Sequence, residues 1–401
     1  MSTKTLETYL LAPQKVAIWL LVVTMGCGTV GVTVISPALS SVSEYFKVDR
    51  SSSQLLLTVY FVSVAFFQLI YGPLSDRFGR KLPLLCGLSI LALGGLLGSV
   101  AESFETLIFA RVFQGMGAAS IYSIVRAIIY DSYGRDEGAT ALSTITGIMM
   151  VAPIFSLASG GVITEFIGWK GAMFLIFLAG LIPLSLNSIL LPETNFQQIQ
   201  KLNFGSLVKN HLSILANPLF LCFMFASSSC VGIWFTMLGF FPFEYKRIGV
   251  ESSEIGFWFI FGPLGFAIGN FLSRRLIHSL GIVKMSQIGG LITLFAIITL
   301  LIPSQLNWSH PILIGGPCLF SGLAAGFVMA PSTMGAIATA GNLGGCASGI
   351  LGATQMGFGV LGGSVVVFVG GYETFEHGVF VLVGLAMLTI LSSTMAKIIS
   401  K

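Results

Sequence analysis

GPLSDRFGRK, residues 72–81, is a short charged turn set between two long apolar runs, LLLTVYFVSVAFFQLIY (55–71) before it and LPLLCGLSILALGGLLGSV (82–100) after it. Runs of this length cross the ~30 Å hydrocarbon layer of a bilayer as helices. The stretch is therefore a helical hairpin with Asp76, Arg77, Arg80 and Lys81 at a membrane surface. Outward from it the same unit recurs, and twelve such spans can be counted along the chain. The bulk composition agrees: of 401 residues 55% are hydrophobic and 9% charged, with a mean hydropathy of +0.92, whereas soluble domains carry roughly 25% charge. The fold class expected is an all-α integral membrane protein of twelve transmembrane helices. The first span begins near Val16; it is too long for a signal-peptide core and no small-residue cleavage site follows, so it reads as a retained span.

With the N-terminus placed inside, fourteen Lys and Arg fall inside, five fall outside, and Arg111 is left within the membrane. Arg126 is counted with the inside group. The positive-inside rule then puts both termini in the cytoplasm. The longest connection, 195–216, follows the sixth span and divides the chain into an N-terminal half, 1–194, and a C-terminal half, 217–401. LSDRFGRK at 74–81 is echoed 198 residues later by LSRRLIHSLGIVK at 272–284, as a parallel repeat of six spans requires. The halves are thus expected to be related by a pseudo-two-fold axis along the membrane normal.

Six cysteines are scattered through apolar spans without a CxxC, and read as small packing residues. The histidines at 211, 278, 310 and 377 fall in connections, which points away from a metal site. Neither HExxH nor GxSxG occurs in the spans, which argues against a membrane-embedded enzyme. No appended soluble domain supports a sensor on a transporter scaffold.

GPLSDRFGRK together with RVFQGMGAA (111–119) resembles the signature pair of the major facilitator superfamily. VRAIIYD (125–131), NPLF (217–220), FFPFEY (240–245) and GCASGILGATQ (345–355) are similar to the bicyclomycin and chloramphenicol resistance (Bcr/CflA) branch of its drug:proton antiporters. The resemblance implies a monomeric multidrug exporter of the inner membrane that works by alternating access, with the proton as suspected coupling ion and no other cofactor. Its partners would be a small-molecule substrate and the bilayer, without nucleic acid. The other reading left open is a specific carrier of one metabolite or siderophore anion.

The resemblance also assigns roles. Gly72, Asp76, Arg77, Gly79, Arg80, Lys81 and Asp131 would form a cytoplasmic latch between the halves. Pro153, Gly160 and Gly161 would provide a kink in the fifth span. Arg111 and Gln114 would act in coupling. On helical spacing Gln114, Ala118 and Tyr122 share the face of Arg111, a face of polar and small residues that suits a cavity wall. An arginine there must meet protein or water, because at mid-membrane it costs ~2.5–3.5 kcal/mol on insertion scales. It can serve a substrate, or it can bind backbone carbonyls of a neighbouring helix. Thr33, Tyr60, Tyr122, Met150, Trp234, Phe261 and Gln355 are candidate cavity residues. Thr33 stands where related antiporters carry a carboxylate, and no acid falls in the central part of any span. Proton coupling would then pass through rim groups such as Asp76, Glu44 or Glu165. The cavity would favour neutral or anionic compounds over lipophilic cations.

Overall fold

A computed structural model describes residues 15–149, 152–195, 204–302, 310–340 and 343–400. Eleven of its helices are long and apolar enough to cross a membrane. In chain order they are span one (Ile18–Phe46), two (Arg50–Phe78), three (Lys81–Ser99), four (Phe104–Tyr133), six (Trp169–Leu190), seven (Pro218–Arg247), eight (Ser252–Ile277), nine (Ser279–Thr299), ten (Ile312–Thr339), eleven (Cys346–Phe368) and twelve (Phe375–Ile399). Span five is the shorter apolar helix Ala152–Ile167, and a helix Phe204–Leu215 lies in the connection between spans six and seven. The end of the bundle holding the turn between spans two and three is called the basic rim below; the other is the opposite rim.

Span one is broken, and its sequence shows why. Its first helix stops at Thr33, a 3-10 turn Ser36–Ala38 follows with Pro37 inside it, and the helix resumes at Leu39. Proline has no N–H to donate to the carbonyl a turn earlier, so carbonyls at the end of the first helix need other donors.

An internal repeat is recorded in the backbone. The residues with positive φ are Lys47, Gly79, Gly168, Gly249, Gly281 and Gly370. They form three pairs, Lys47 with Gly249, Gly79 with Gly281 and Gly168 with Gly370, each separated by 202 residues. The structural register is therefore 202, and the sequence echo at 198 is four residues out. That is about one helical turn, a slip that keeps similar residues on one face.

The halves meet closely at the opposite rim. There a Cβ added to Gly160 would lie 2.5 Å from the Val34 carbonyl oxygen, and one added to Gly161 would lie 2.4 Å from that of Ser252. In the second half Gly362 and Gly363, again 202 residues on, abut Thr236 and Gln54. In each pair the first glycine admits the first span of its own half and the second admits the second span of the other. Gly160 and Gly161 lie within the uninterrupted helix Ala152–Ile167, so they are sites of close approach and not a kink, as small residues are in membrane interfaces. Pro153 stands at the start of that helix, and residues 150–151 before it lie outside the described residues. Glu165 Oε2 accepts from Ser253 N at 3.1 Å, Ser36 Oγ donates to the Leu238 carbonyl, and Tyr372 OH donates to Gln54 Oε1 at 2.7 Å. Each of these three bonds also joins one half to the other.

Candidate functional site: the span-four arginines and the interface between halves

Arg111 is fully buried. Its Nη1 donates to the Gly31 carbonyl at 2.8 Å and to Gln114 Oε1 at 2.6 Å, and its Nε donates to the Leu56 carbonyl at 2.9 Å. The guanidinium carbon lies 4.3 Å from the centroid of Tyr60. Gly31 is in the last turn of span one's first helix, so the arginine supplies a donor to a carbonyl at the helix end. A cation is also stabilised at that negative end of the helix dipole. Hydrogen bonds to charged groups are each worth ~1.5–3 kcal/mol net, and a desolvated cation–π contact about 2. Together they offset an insertion cost of ~2.5–3.5 kcal/mol. Of the two expectations, carbonyl capping describes Arg111 in this state. Gln114 positions it, being buried with Nε2 donating to the Gly94 carbonyl at 2.9 Å.

The neighbouring cavity candidates are rearranged accordingly. Thr33 is buried and its hydroxyl pairs with Ser156 of span five, which makes it a link between helices and not a cavity wall. Tyr60 is also fully buried, under Arg111, and its hydroxyl and Arg111 Nη2 have no hydrogen-bond partner among the described residues. Trp234 packs inside the second half, edge-on to Phe259 at 6.4 Å. Phe261 is stacked on Trp258 at 5.6 Å, against Gly315 of span ten, so it too is packing within that half. The aromatic contact that does join the halves is Phe61 with Phe235 at 4.4 Å, a pair that no motif marks in the sequence. Met150 lies outside the described residues. Gln355, half-buried on span eleven, is two turns from Ser348 on the same face.

Arg126 is not in a connection. Seven residues of span four follow it, and its Nη1 donates to Ser348 Oγ on span eleven at 3.2 Å, bridging the halves. Tyr122, which is buried, is one turn away. The sequence reading counted Arg126 with the cytoplasmic-side charges and ended span four near Asp131; the span end agrees, and the structure adds the contact of the Arg126 side chain with span eleven.

At the basic rim, Gly79 takes φ +84°, and a Cβ there would fall 2.4 Å from Glu193 Oε2. Glu193 caps the start of span three: its Oε1 accepts from Arg80 N at 2.7 Å and its Oε2 from Lys81 N at 3.1 Å. A carboxylate suits the positive end of a helix. Arg80 pairs with Asp76 at 2.5 Å and Asp131 at 2.8 Å. Burial works against its charge, yet the hydrogen bonds and charges of Asp131 and Asp76 more than offset this and raise its pKa above the ordinary arginine value. These residues all precede position 196, so the cluster ties spans two, three, four and six within one half. In this state it does not bridge the halves as a latch would. Lys81 joins the network only through its backbone N–H, Arg77 lies over the Phe78 ring at 5.1 Å, and a methyl added to Gly72 would meet nothing within 4 Å. Glu193 is the member that motif reading missed; its signal is the ETN that ends span six.

Among the described residues no group of His, Cys, Asp and Glu is placed to hold a metal ion. The cysteines are free thiols, and Cys86 is exposed and not packed inside.

A bundle of hydrophobic helices in two repeated halves, with a polar rim hairpin and a buried arginine, defines a membrane carrier. The chain belongs to the Major Facilitator Superfamily, which it matches over residues 21–364; it is a multi-pass membrane transporter of small molecules and not an enzyme. It is 26% identical over 338 residues to a bicyclomycin resistance protein homolog of Haemophilus influenzae, covering 84% of this chain and 85% of that one. It is also 27% identical over 187 residues to the multidrug resistance protein MdtM of Escherichia coli K12, covering 47% and 46%. The fold is shared with a D-xylose-proton symporter at a TM-score of 0.75 and 14% identity, covering 94% of this chain and 96% of that one.

Proposed function

We propose that the protein is an exporter of small amphiphilic compounds of the multidrug type, energised by the proton gradient. The observation that carries this reading is the similarity along most of its length to a bicyclomycin resistance protein homolog, supported by an interface between halves that pairs aromatic contacts with one unneutralised cation. In this reading the basic rim faces the cytoplasm of a bacterial-type cell, both termini are on that side of the inner membrane, and the carrier acts as a monomer with the proton as its coupling ion and no nucleic-acid partner. Residues 1–194 and 217–401 are the rocking halves and 195–216 their connection, of which 196–203 lie outside the described residues. No described acid occupies the middle of a span, so proton coupling uses rim carboxylates, Asp76, Asp131, Glu44 or Glu165. Substrates are neutral or anionic, because the span-four charges set furthest from the span ends, Arg111 and Arg126, are positive.

A carrier of a single metabolite anion is the second reading, favoured by Arg126, which has no counter-ion among the described residues. The test is accumulation of neutral, anionic and cationic fluorescent amphiphiles in cells stripped of their main pumps. Lower accumulation of more than one neutral or anionic compound, restored by an uncoupler, supports export of the multidrug type. Accumulation equal to that of cells without the protein, for all compounds, refutes it.

A further inference from the structure

We propose that Arg126 is the residue that selects the anionic end of the substrate. The proposal rests on the export reading for its setting, and the cation usually singled out in span four, Arg111, is not available for the task. Arg111 is fully buried and spends Nε and Nη1 on two carbonyls and Gln114, and its Nη2, though without a partner among the described residues, is enclosed by protein. Releasing it for a substrate would unpair the end of span one's first helix.

Arg126 is different in each respect. Only Nη1 of its guanidinium has an acceptor among the described residues, the neutral hydroxyl of Ser348. Unlike Arg80 and Arg247, it has no ion pair among the described residues. Its side chain is half-buried, and among the described residues its Nε and Nη2 have no acceptor. A partly desolvated cation without a counter-ion is costly to keep, and a carboxylate arriving between the halves would form the charge-assisted, fork-shaped pair that guanidinium groups favour.

The surroundings fit a ligand group of that size. Three elements converge on Arg126: its own span four, span two through Gln68, and span eleven through Ser348 and Gly352. A Cβ built on Gly352 would lie 2.8 Å from Gln68 Oε1 and 3.9 Å from Arg126 Nη1, so the glycine lets span eleven approach both. At Gly349, beside Ser348, an added Cβ would meet nothing within 4 Å. Span eleven is thus not packed around its whole circumference at the level of Ser348. Because Ser348 belongs to the other half, a carboxylate that replaces its hydroxyl also replaces a contact that holds the halves together here, so binding and opening compete for the same donor.

The test uses a matched pair of probes, dansylglycine, which is anionic, and dansylglycinamide, which is neutral. Binding is read by fluorescence on the full chain in nanodiscs, and transport separately in energised everted vesicles. Arg126→Gln is expected to weaken dansylglycine binding about ten- to a hundredfold and to leave dansylglycinamide within about twofold. Arg126→Lys is expected to recover part of the loss and Ser348→Ala to leave the preference in place. Equal loss of both probes would mean that Arg126 acts only in holding the halves, and would overturn the proposal. Unchanged dansylglycine binding, or wild-type protein that favours the neutral probe, would overturn it as well. If binding follows Arg126 but neither probe is pumped, the assignment stands and the export reading falls.

Discussion

Gly161→Ala separates a glycine that merely packs from one on which a conformational cycle turns. The added methyl would sit 2.4 Å from the Ser252 carbonyl oxygen and 3.2 Å from Gly256 N. Ordinary contact begins near 3.4 Å, so spans five and eight must part by about 1 Å where both sides are backbone. Overpacking of this kind costs ~1–3 kcal/mol. The penalty falls only on the state in which the halves touch at the opposite rim, since the partner atoms leave when the rim opens. A differential cost of that size shifts the two-state ratio by roughly 5- to 150-fold. A closed rim favoured tenfold becomes the minor state at about 2 kcal/mol. Spin labels at Glu44 and Glu251, exposed residues of different halves on this rim, would report the change as a distance distribution moving to longer values. Gly363→Ala is expected to do less, because its methyl would meet the side chain of Gln54 and not backbone. Gly72→Ala, with nothing within 4 Å, should leave the distribution unchanged. A Gly161→Ala protein whose distribution matches that of Gly72→Ala would refute the argument.

Further outcomes follow from the two polar clusters. Arg111→Ala removes three charge-assisted bonds and is expected to destabilise the folded protein by about 2–5 kcal/mol, lowering the midpoint of thermal unfolding in detergent, with Arg111→Lys intermediate because an ammonium cannot reproduce the fork; an unchanged midpoint would contradict the capping role. Gly79→Ala combines a left-handed backbone, ~1–2 kcal/mol for an L-residue, with a clash against Glu193, and should reduce the same midpoint more than Gly72→Ala. Glu193→Ala uncaps span three and should cost ~1 kcal/mol, seen as faster amide exchange at Arg80 and Lys81. Glu165→Gln keeps the shape of the carboxylate but removes its charge from the start of span eight, and should lengthen the distance between labels at Glu44 and Glu251 less than Gly161→Ala does.

What the sequence made legible was what the bilayer imposes. Hydrocarbon admits long apolar runs and little else, so the spans and the hairpin at Gly79 could be read directly. Less could be read where one helix meets another. Thr33 and Tyr60 look alike in sequence whether they face a cavity or a neighbour, and only packing decides that both are enclosed. The register of the repeat was read four residues out because LSDR and LSRR match by residue type, whereas the positive-φ positions mark the backbone itself. Arg126 was counted only as an inside charge, because its contact with Ser348, 222 residues away, leaves no local pattern. Gly160 and Gly161 were visible as a motif, but the partners that give them meaning belong to other spans and, for Gly161, to the other half. Glu193 offered the faintest signal, a single acid after span six, since a cap on a helix more than a hundred residues away leaves no local pattern.

The central claim is energised export, and everted membrane vesicles from a pump-stripped host test it most directly. With respiration switched on, uptake of dansylglycinamide and dansylglycine is predicted to rise above that of vesicles lacking the protein and to collapse when an uncoupler is added. Uptake that equals the protein-free control, or that persists at full rate with the proton gradient abolished, would contradict the account.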